Sequence, residues 1–296
     1  MPIVLQIQNL FAKSDFNENL RHRFRRTKTN ENHFEDIYDG SEYKKHCNPG
    51  ILDFQQNISL LWNPDGVPVF KSLSFSYSLE PVTYQQKCLV CNSVQYNGSY
   101  GCLKCKQRSE TVKVSARGHM PAFPFIKPDL YGPKRTHSET LRDADTAVES
   151  GKAVDGIKGP SWFAGLSNYD VIKGTAIDYM YGLCLGVMKT LLSLWFASKN
   201  SAMPFSICDQ VSKADKRLLQ IHPPLEIGRI PRSIENHRKY WKASELKAFL
   251  RNHGIPVLFG ILDATYFQHF AIISQAAFTL LQDSISELQL QNCKRL

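Results

Sequence analysis

The chain has 296 residues, of which 43% are hydrophobic and 21% charged, a composition close to that of ordinary globular proteins. This length allows one or two domains with a buried core. The net charge of +9 favours polyanionic partners, nucleic acid above all, although a plain solvated basic surface explains it too. The most apolar stretch, residues 181–197, contains Lys189 and is too short for a membrane span, so a buried helix is expected and a membrane partner is excluded.

Residues 1–50 are interpreted as a polar leader. Their densest basic cluster runs from Arg21 to Lys28, and the acidic residues between positions 31 and 42 nearly cancel its charge. The segment is therefore expected to be solvated or partly helical. A nuclear-import or phosphate-contacting patch is the alternative interpretation.

Residues 51–87 are predicted to be rich in β-strand. The stretch from Val67 to Leu79 alternates polar with apolar positions and carries β-branched and aromatic residues. The sequence 63–66, Asn-Pro-Asp-Gly, has turn chemistry. A strand–turn–strand hairpin is the expected structure.

Residues 88–135 contain two C-x2-C pairs separated by ten residues: Cys88 with Cys91, and Cys102 with Cys105. No secretory signal is visible, so the cysteines are expected to be reduced thiols or metal ligands. Two such pairs present the four thiolates that a tetrahedral zinc ion requires. A second possible ligand set joins Cys102 and Cys105 to His119 and His137. Each histidine alone is also explained as an ordinary surface or hydrogen-bonded residue.

Residues 136–296 are predicted to be mainly helical. Thr136 and Glu139 have capping-box spacing at the start of the first helix. The expected helices run from 136 or 138 to about 150, from 176 to 198, from 233 to 251 with an end at Gly254, and from 267 to 290.

The segment from Arg229 to Arg251 is the candidate nucleic-acid surface. Its basic and aromatic residues are Arg229, Arg232, Arg238, Lys239, Tyr240, Trp241, Lys242, Lys247 and Arg251. The basic side chains would neutralise phosphates and the aromatic rings would stack on unpaired bases. Alternatively, this is an amphipathic helix with Trp241, Leu246, Phe249 and Leu250 in the core and its charges in water.

The carboxylates that could hold divalent ions are Asp65, at a turn, and Asp178 in Asp-Tyr-Met. Their spacing alone does not assemble a site. The sequence has no glycine-rich phosphate loop, no GxSxG elbow and no HExxH motif.

Eight strings resemble, in the same order, the transposase of CACTA (En/Spm) elements in the form found in animal genomes, and they cover most of the chain. The strings are IYDGSEYKK (37–45), NISLLWNPDGVPVFKSLSFS (57–76), YNGSYGCLKC (96–105), RTHSETLRDA (135–144), GIKGPSW (156–162), DYMYGLCLGVMK (178–189), PPLEIGRIPRSI (223–234) and YWKASELKAFL (240–250). Eight ordered matches are much more specific than any single one.

The resemblance implies an RNase H-like core in which three acids hold magnesium ions for DNA cleavage and joining. Asp65 matches the first acid. Asn92 stands where the second is expected, and a neutral amide replaces a metal-binding carboxylate poorly. The third, a glutamate, is expected in a motif beyond Leu296. Asp178 matches a family string in which Tyr181 replaces a histidine, and it is expected either to support the core or to bind metal.

The resemblance also implies a deletion before the cysteines, because the family has a long segment where only the residues between Leu79 and Cys88 remain. Cys102 and Cys105 lie inside a matching string and are therefore the preferred zinc ligands. His119 and His137 lie in or near matching context, which supports them as partners.

The expected fold class is α/β: a degenerate RNase H-like core with a small cysteine-rich zinc insertion and a helical C-terminal half. The expected parts are a leader (1–50), a remnant of the core strands (51–87), the zinc-binding insertion and connector (88–135) and the helical region (136–296). The expected function is that of a transposase-derived, catalytically inactive nuclear protein that retains DNA binding. Zn²⁺ is the expected structural ion, and Mg²⁺ is expected from the family alone. The alternatives are a zinc-stabilised protein-interaction module, an active nuclease and an incomplete gene model without a stable fold.

Overall fold

The computed structural model describes residues 3–13, 15–47, 50–54, 57, 59, 87–113, 118–124, 131–166, 168–227 and 229–295. The chain divides into two compact units. The helical unit comprises Met1–Trp62, Leu191–Trp241 and Glu245–Leu296, and the cysteine unit comprises Asn63–Thr190 and Lys242–Ser244. The leader therefore groups with the C-terminal helices, and the expected boundary at residue 136 falls inside the cysteine unit.

The described elements are mostly helical. The helices are α1 (Ile3–Phe11), α2 (Phe16–Leu20), α3 (His22–Arg25), α4 (Ser41–Lys44), α5 (His137–Ser150), α6 (Lys189–Phe196), α7 (Val211–Leu219), α8 (Ile234–His237), α9 (Ala243–Ala248), α10 (Gly254–Leu258), α11 (Ala264–Leu280) and α12 (Glu287–Arg295). Two π-helical segments, Met180–Met188 and Phe249–His253, lead directly into α6 and α10. The strands are β1 (His33–Phe34), β2 (Glu110–Lys113), β3 (His119–Ala122) and β4 (Ile285–Ser286).

The strands form two small antiparallel sheets. β1 pairs with β4, and β2 pairs with β3. The fold is thus a mixture of helices with small antiparallel sheets, and the mixed sheet of an RNase H-like core is not among the described residues. The strand expected over 67–79, the turn expected at 63–66 and the candidate acid Asp65 lie outside the described residues. No helix in the described ranges is long and apolar enough to cross a membrane.

The core of the helical unit forms where α11 packs against the π segment before α10. Phe270 lies edge-on to Trp195, with ring centroids 5.5 Å apart, and contacts Phe249 at 6.4 Å. Trp241 packs on the other side of Phe249 at 5.6 Å. All four rings are at most 4% exposed, so the removal of large aromatic surfaces from water stabilises this unit.

The single helix expected over 233–251 is instead broken into α8, a 3-10 turn, α9 and a π segment. The expected end at Gly254 is also wrong, because Gly254 is helical (φ −62°) and begins α10. A Cβ at this position would lie 2.4 Å from Cζ of Phe270. The glycine therefore permits close packing against Phe270 and does not end the helix.

The helix expected over 267–290 is two helices. Asp263 caps the start of α11 by accepting a hydrogen bond from the Thr265 N–H at 3.0 Å. After α11 ends at Leu280, residues 285 and 286 extend as β4 and pair with His33 and Phe34. A long-range strand pairing thus interrupts what the apolar pattern presented as one helix.

Two arginines of the leader's basic cluster form hydrogen bonds and an ion pair with other residues of the N-terminal segment. The Arg23 guanidinium donates to the carbonyls of Phe54 and Asn57, at 2.9 and 2.6 Å. Arg26 forms an ion pair with the buried side chain of Asp39. These bonds hold the basic cluster against neighbouring parts of the N-terminal segment and use two of the charges that a phosphate-contacting patch would need.

In the cysteine unit, α5 confirms the local capping prediction. Thr136 Oγ1 accepts a hydrogen bond from the Glu139 N–H at 3.3 Å and donates to the Glu139 carboxylate at 2.7 Å. The helix ends at Gly151, whose φ of +65° is the left-handed conformation of a C-cap glycine.

Candidate functional site: cysteine pairs and basic surfaces

Cys102 and Cys105 form one thiol pair. The Lys104 N–H donates to Cys102 Sγ at 3.3 Å. Burial raises the pKa of the Cys105 thiol, and the neighbouring Cys102 raises it further against a lowering hydrogen bond from the Gln107 backbone. The two side chains are therefore close to each other, and the raised pKa of Cys105 favours its protonated form when no ligand is bound.

Cys88 and Cys91 form the second pair. Cys88 lies in the helical turn 87–90, and Cys91 follows that turn directly. Burial raises the pKa of both thiols. Cys91 Sγ lies 3.7 Å from Thr175 Oγ1. The ammonium of Lys104 lies within electrostatic range of Cys91 and Cys102, and it donates to the backbone carbonyls of Ile172 and Thr175. A lysine side chain thus supplies positive charge near both pairs.

The histidines of the second ligand set lie apart from these thiols. His119 is exposed on β3. His137 Nδ1 accepts a hydrogen bond from the Val171 N–H at 3.2 Å, which engages one of its two possible ligand atoms. Nowhere in the described ranges do three His, Cys, Asp or Glu side chains converge to hold a metal ion. A structural zinc takes four donors, so the donor set as placed here does not fit one.

Asn92 has a structural role in the cysteine unit. Its φ of +47° is left-handed, a conformation that asparagine adopts more readily than most residues. Its side-chain amide donates to the Pro160 carbonyl at 3.3 Å, and its own carbonyl accepts from the Lys158 N–H at 2.8 Å. A carboxylate at this position could not donate the first of these bonds.

Asp178 caps a helix. Its Oδ1 accepts from the Met180 N–H at 2.7 Å and from the Tyr181 N–H at 3.4 Å, at the start of the first π segment. These bonds satisfy backbone donors that a helix start otherwise leaves free. Asp178 therefore stabilises the start of a helix, and a role in metal binding stays a prediction.

Much of the candidate nucleic-acid segment is occupied by internal contacts. Arg232 forms a bidentate pair with the buried carboxylate of Glu245. Arg238 donates to the Phe196 carbonyl at 3.0 Å. The Arg251 guanidinium lies over the ring of Phe278, 5.2 Å from its centroid.

Trp241 is buried together with Leu246, Phe249 and Leu250, as the amphipathic alternative expected. This burial removes Trp241 from the side chains that could stack on bases. Lys247 is half-buried, and Lys242 is exposed but groups with the cysteine unit. Arg229, Lys239 and Tyr240 remain at the surface of the helical unit, Tyr240 with 73% of its area exposed. These three residues are named the Lys239 surface.

Sequence reasoning did not single out Trp162, whose side chain is almost fully exposed. Tryptophan is seldom so exposed in folded proteins. The available signal was the string GIKGPSW, in which a lysine, a proline and a tryptophan lie close together. That string contributed only to the family resemblance.

Comparison with known proteins returned no matching protein family, no matching curated protein and no matching solved structure. The transposase resemblance therefore rests on the eight strings alone.

Proposed function

We propose that this protein is a transposase-derived DNA-binding protein that does not cut DNA. In this proposal residues 51–87 are the remnant of an RNase H-like core, and the protein acts in the nucleus. The protein binds duplex DNA through the Lys239 surface of the helical unit.

The observation that carries the binding proposal is the separation of the basic segment into two groups. Arg232 and Arg238 are held by internal acceptors, whereas Arg229 and Lys239 are exposed to solvent, as is the ring of Tyr240. Exposed basic side chains neutralise phosphates and release counterions, which gives binding that weakens steeply with salt. The net charge of +9 acts in the same direction.

The absence of catalysis follows in this proposal from the chemistry at two positions. Asn92, at the expected second acid, donates its amide to a backbone carbonyl and offers no carboxylate. Asp178 uses one carboxylate oxygen to cap a helix. A two-metal mechanism needs several carboxylates that hold the ions about 4 Å apart, and these two side chains do not supply them.

The test is DNA binding by the full chain over a series of salt concentrations, measured by fluorescence anisotropy with a labelled duplex. We expect the double variant Arg229→Ala, Lys239→Ala to bind more weakly and to reduce the slope of log K against log salt by about 2. Lys294→Ala, which removes an exposed lysine at the end of α12, is the matched control and should leave the slope unchanged. Incubation with supercoiled plasmid and Mg²⁺ should produce no nicks. Salt-independent binding, or cleavage, would refute the proposal.

A structural zinc ion stays a prediction of the cysteine spacing. Binding of four thiolates would require the Cys88 and Cys102 pairs to converge further than the described arrangement allows. Zinc content, measured on protein purified without chelator, tests this prediction. About one zinc per chain, with cooperative loss of structure in EDTA, would support it.

A further inference from the structure

Trp162 projects from the surface of the cysteine unit. Its side chain is 83% exposed and makes no ring contact within the part of the chain that the structure describes. Leu89, which is 68% exposed, precedes Val90, and the carbonyl of Val90 accepts the Trp162 N–H. The two large apolar side chains therefore belong to neighbouring stretches of the same surface.

The backbone that carries Trp162 is held by a ladder of hydrogen bonds. The Trp162 N–H and the Ser161 hydroxyl both donate to the Val90 carbonyl at 3.0 Å. Four residues earlier, the Lys158 N–H donates to the Asn92 carbonyl at 2.8 Å, and Ile157 bridges to Ser93. These bonds hold the backbone that carries the exposed indole, which reduces the conformational entropy lost when a ligand binds.

Gly156 begins this segment and is required there. Its φ is +84°, and a Cβ would lie 2.5 Å from the carbonyl oxygen of Tyr100. A side chain at this position would be strained and would clash with backbone. The tight turn allows residues 157–162 to run directly beside the Cys88–Cys91 turn.

Lysine side chains lie near the two cysteines of the Cys88–Cys91 turn. Burial raises the pKa of the Cys88 thiol while the charge of Lys158 lowers it, and Lys104 and Lys87 act in the same way on Cys91. Lys158 is exposed and forms no ion pair with any described residue. Lys158, four positions before Trp162 on the same backbone segment, therefore offers an exposed positive charge to an anion.

We propose that Trp162, with Leu89 and Lys158, forms a stacking platform for an unpaired base of single-stranded DNA. The indole face takes the base, and the Lys158 ammonium takes a flanking phosphate. Aromatic side chains combined with basic residues are the general means by which proteins bind single strands, since every base has a π face. The choice of DNA as the ligand rests on the proposed function. The platform nevertheless uses none of the residues of the Lys239 surface, and it is selective for unpaired strands.

The experiment measures binding of the full chain to a labelled poly-thymidine strand of about 20 nucleotides and, in parallel, to a duplex. Trp162→Ala should weaken single-strand binding about 5- to 150-fold, the effect of losing one base–aromatic stack. Duplex binding should be unchanged, because paired bases do not stack on the indole. Trp162→Phe should restore most of the affinity. Lys158→Ala should weaken binding and reduce its salt dependence. Trp162 is exposed, so these variants are expected to fold, and circular dichroism checks that they do.

The controls separate this proposal from the proposed function. Single-strand binding that is lost in Trp162→Ala but kept in the Arg229→Ala, Lys239→Ala variant supports the platform, whether or not the Lys239 surface binds duplex. Single-strand affinity that is unchanged in Trp162→Ala overturns the platform alone. An absence of all DNA binding overturns both proposals. Self-association of the wild-type chain that Trp162→Ala abolishes would assign the surface to a second copy and overturn the platform.

Discussion

The close approach of Gly254 to Phe270 predicts an unusual response to the substitution Gly254→Ala. Gly254 is buried and helical, so the substitution should gain about 1 kcal/mol from helix propensity. The new Cβ, however, would lie 2.4 Å from Cζ and 2.8 Å from Cε1 of Phe270, a ring that is fully buried.

The ring cannot move away without disturbing its neighbours, because Trp195 and Phe249 pack against it. Overpacking of this kind costs about 1–3 kcal/mol. The overpacking cost therefore exceeds the propensity gain, and Gly254→Ala should lower the free energy of unfolding by about 1 kcal/mol.

Urea unfolding followed by circular dichroism measures this change, with a double-mutant cycle as the decisive comparison. Phe270→Leu removes the two ring atoms that the Cβ would meet but leaves the Phe249 carbonyl oxygen, which would lie 2.9 Å from it, so Gly254→Ala should cost less in that background than in the wild-type chain. Gly182→Ala is the matched control, since a Cβ there would lie 3.7 Å from Ile177, which is ordinary contact. Destabilisation of the same size in the Phe270→Leu background would show that the ring is not the cause and would refute the reasoning.

Three further substitutions test two side chains that donate to backbone carbonyls and one buried histidine. Asn92→Asp should lower the free energy of unfolding by about 1 kcal/mol, because the Pro160 carbonyl loses its donor. The same variant should not gain Mg²⁺-dependent DNA cleavage, and a gain of cleavage would contradict the proposed function. Lys104→Met should lower the stability of the cysteine unit by about 1–3 kcal/mol in thermal unfolding, since two backbone carbonyls lose a charged donor. Burial lowers the pKa of His253, so the unfolded chain binds a proton at this histidine more readily than the folded chain does. The free energy of unfolding should therefore fall as the pH drops below about 6.5. His253→Phe should flatten this pH dependence in urea titrations between about pH 7 and 5, and an unchanged dependence would count against the reasoning.

Local signals in the sequence predicted the local elements of this protein well. The capping box at Thr136 and Glu139 placed the start of α5, because both partners lie within one turn of the helix. Zinc binding by the two C-x2-C pairs stays a prediction, since no three donor side chains converge within the described residues. The composition also predicted a folded chain with a real core, as the buried aromatic cluster around Phe270 shows.

Neighbouring residues with similar chemistry could not be assigned from the sequence. Tyr240 and Trp241 both looked suited to base stacking, yet Trp241 is buried against Phe249 and Tyr240 is exposed. Arg232 and Lys239 belong to one basic run, yet Glu245 pairs with Arg232 while Lys239 faces solvent. Tertiary packing decides such differences, since it alone determines which side chain finds an internal partner.

Long-range contacts account for the remaining differences between prediction and structure. Residues 33 and 34 pair with residues 286 and 285, which breaks the helix that the apolar pattern predicted through residue 290. Gly254 looked like a helix end because glycine is common there. The reason for the glycine is close packing against Phe270, which lies sixteen positions further along the sequence. The sequence by itself determined helix caps and turns, because their partners lie within a few residues. Only the tertiary structure decided the ends of the long helices and which of the basic and aromatic side chains reach solvent, because those depend on surfaces brought together from distant parts of the chain.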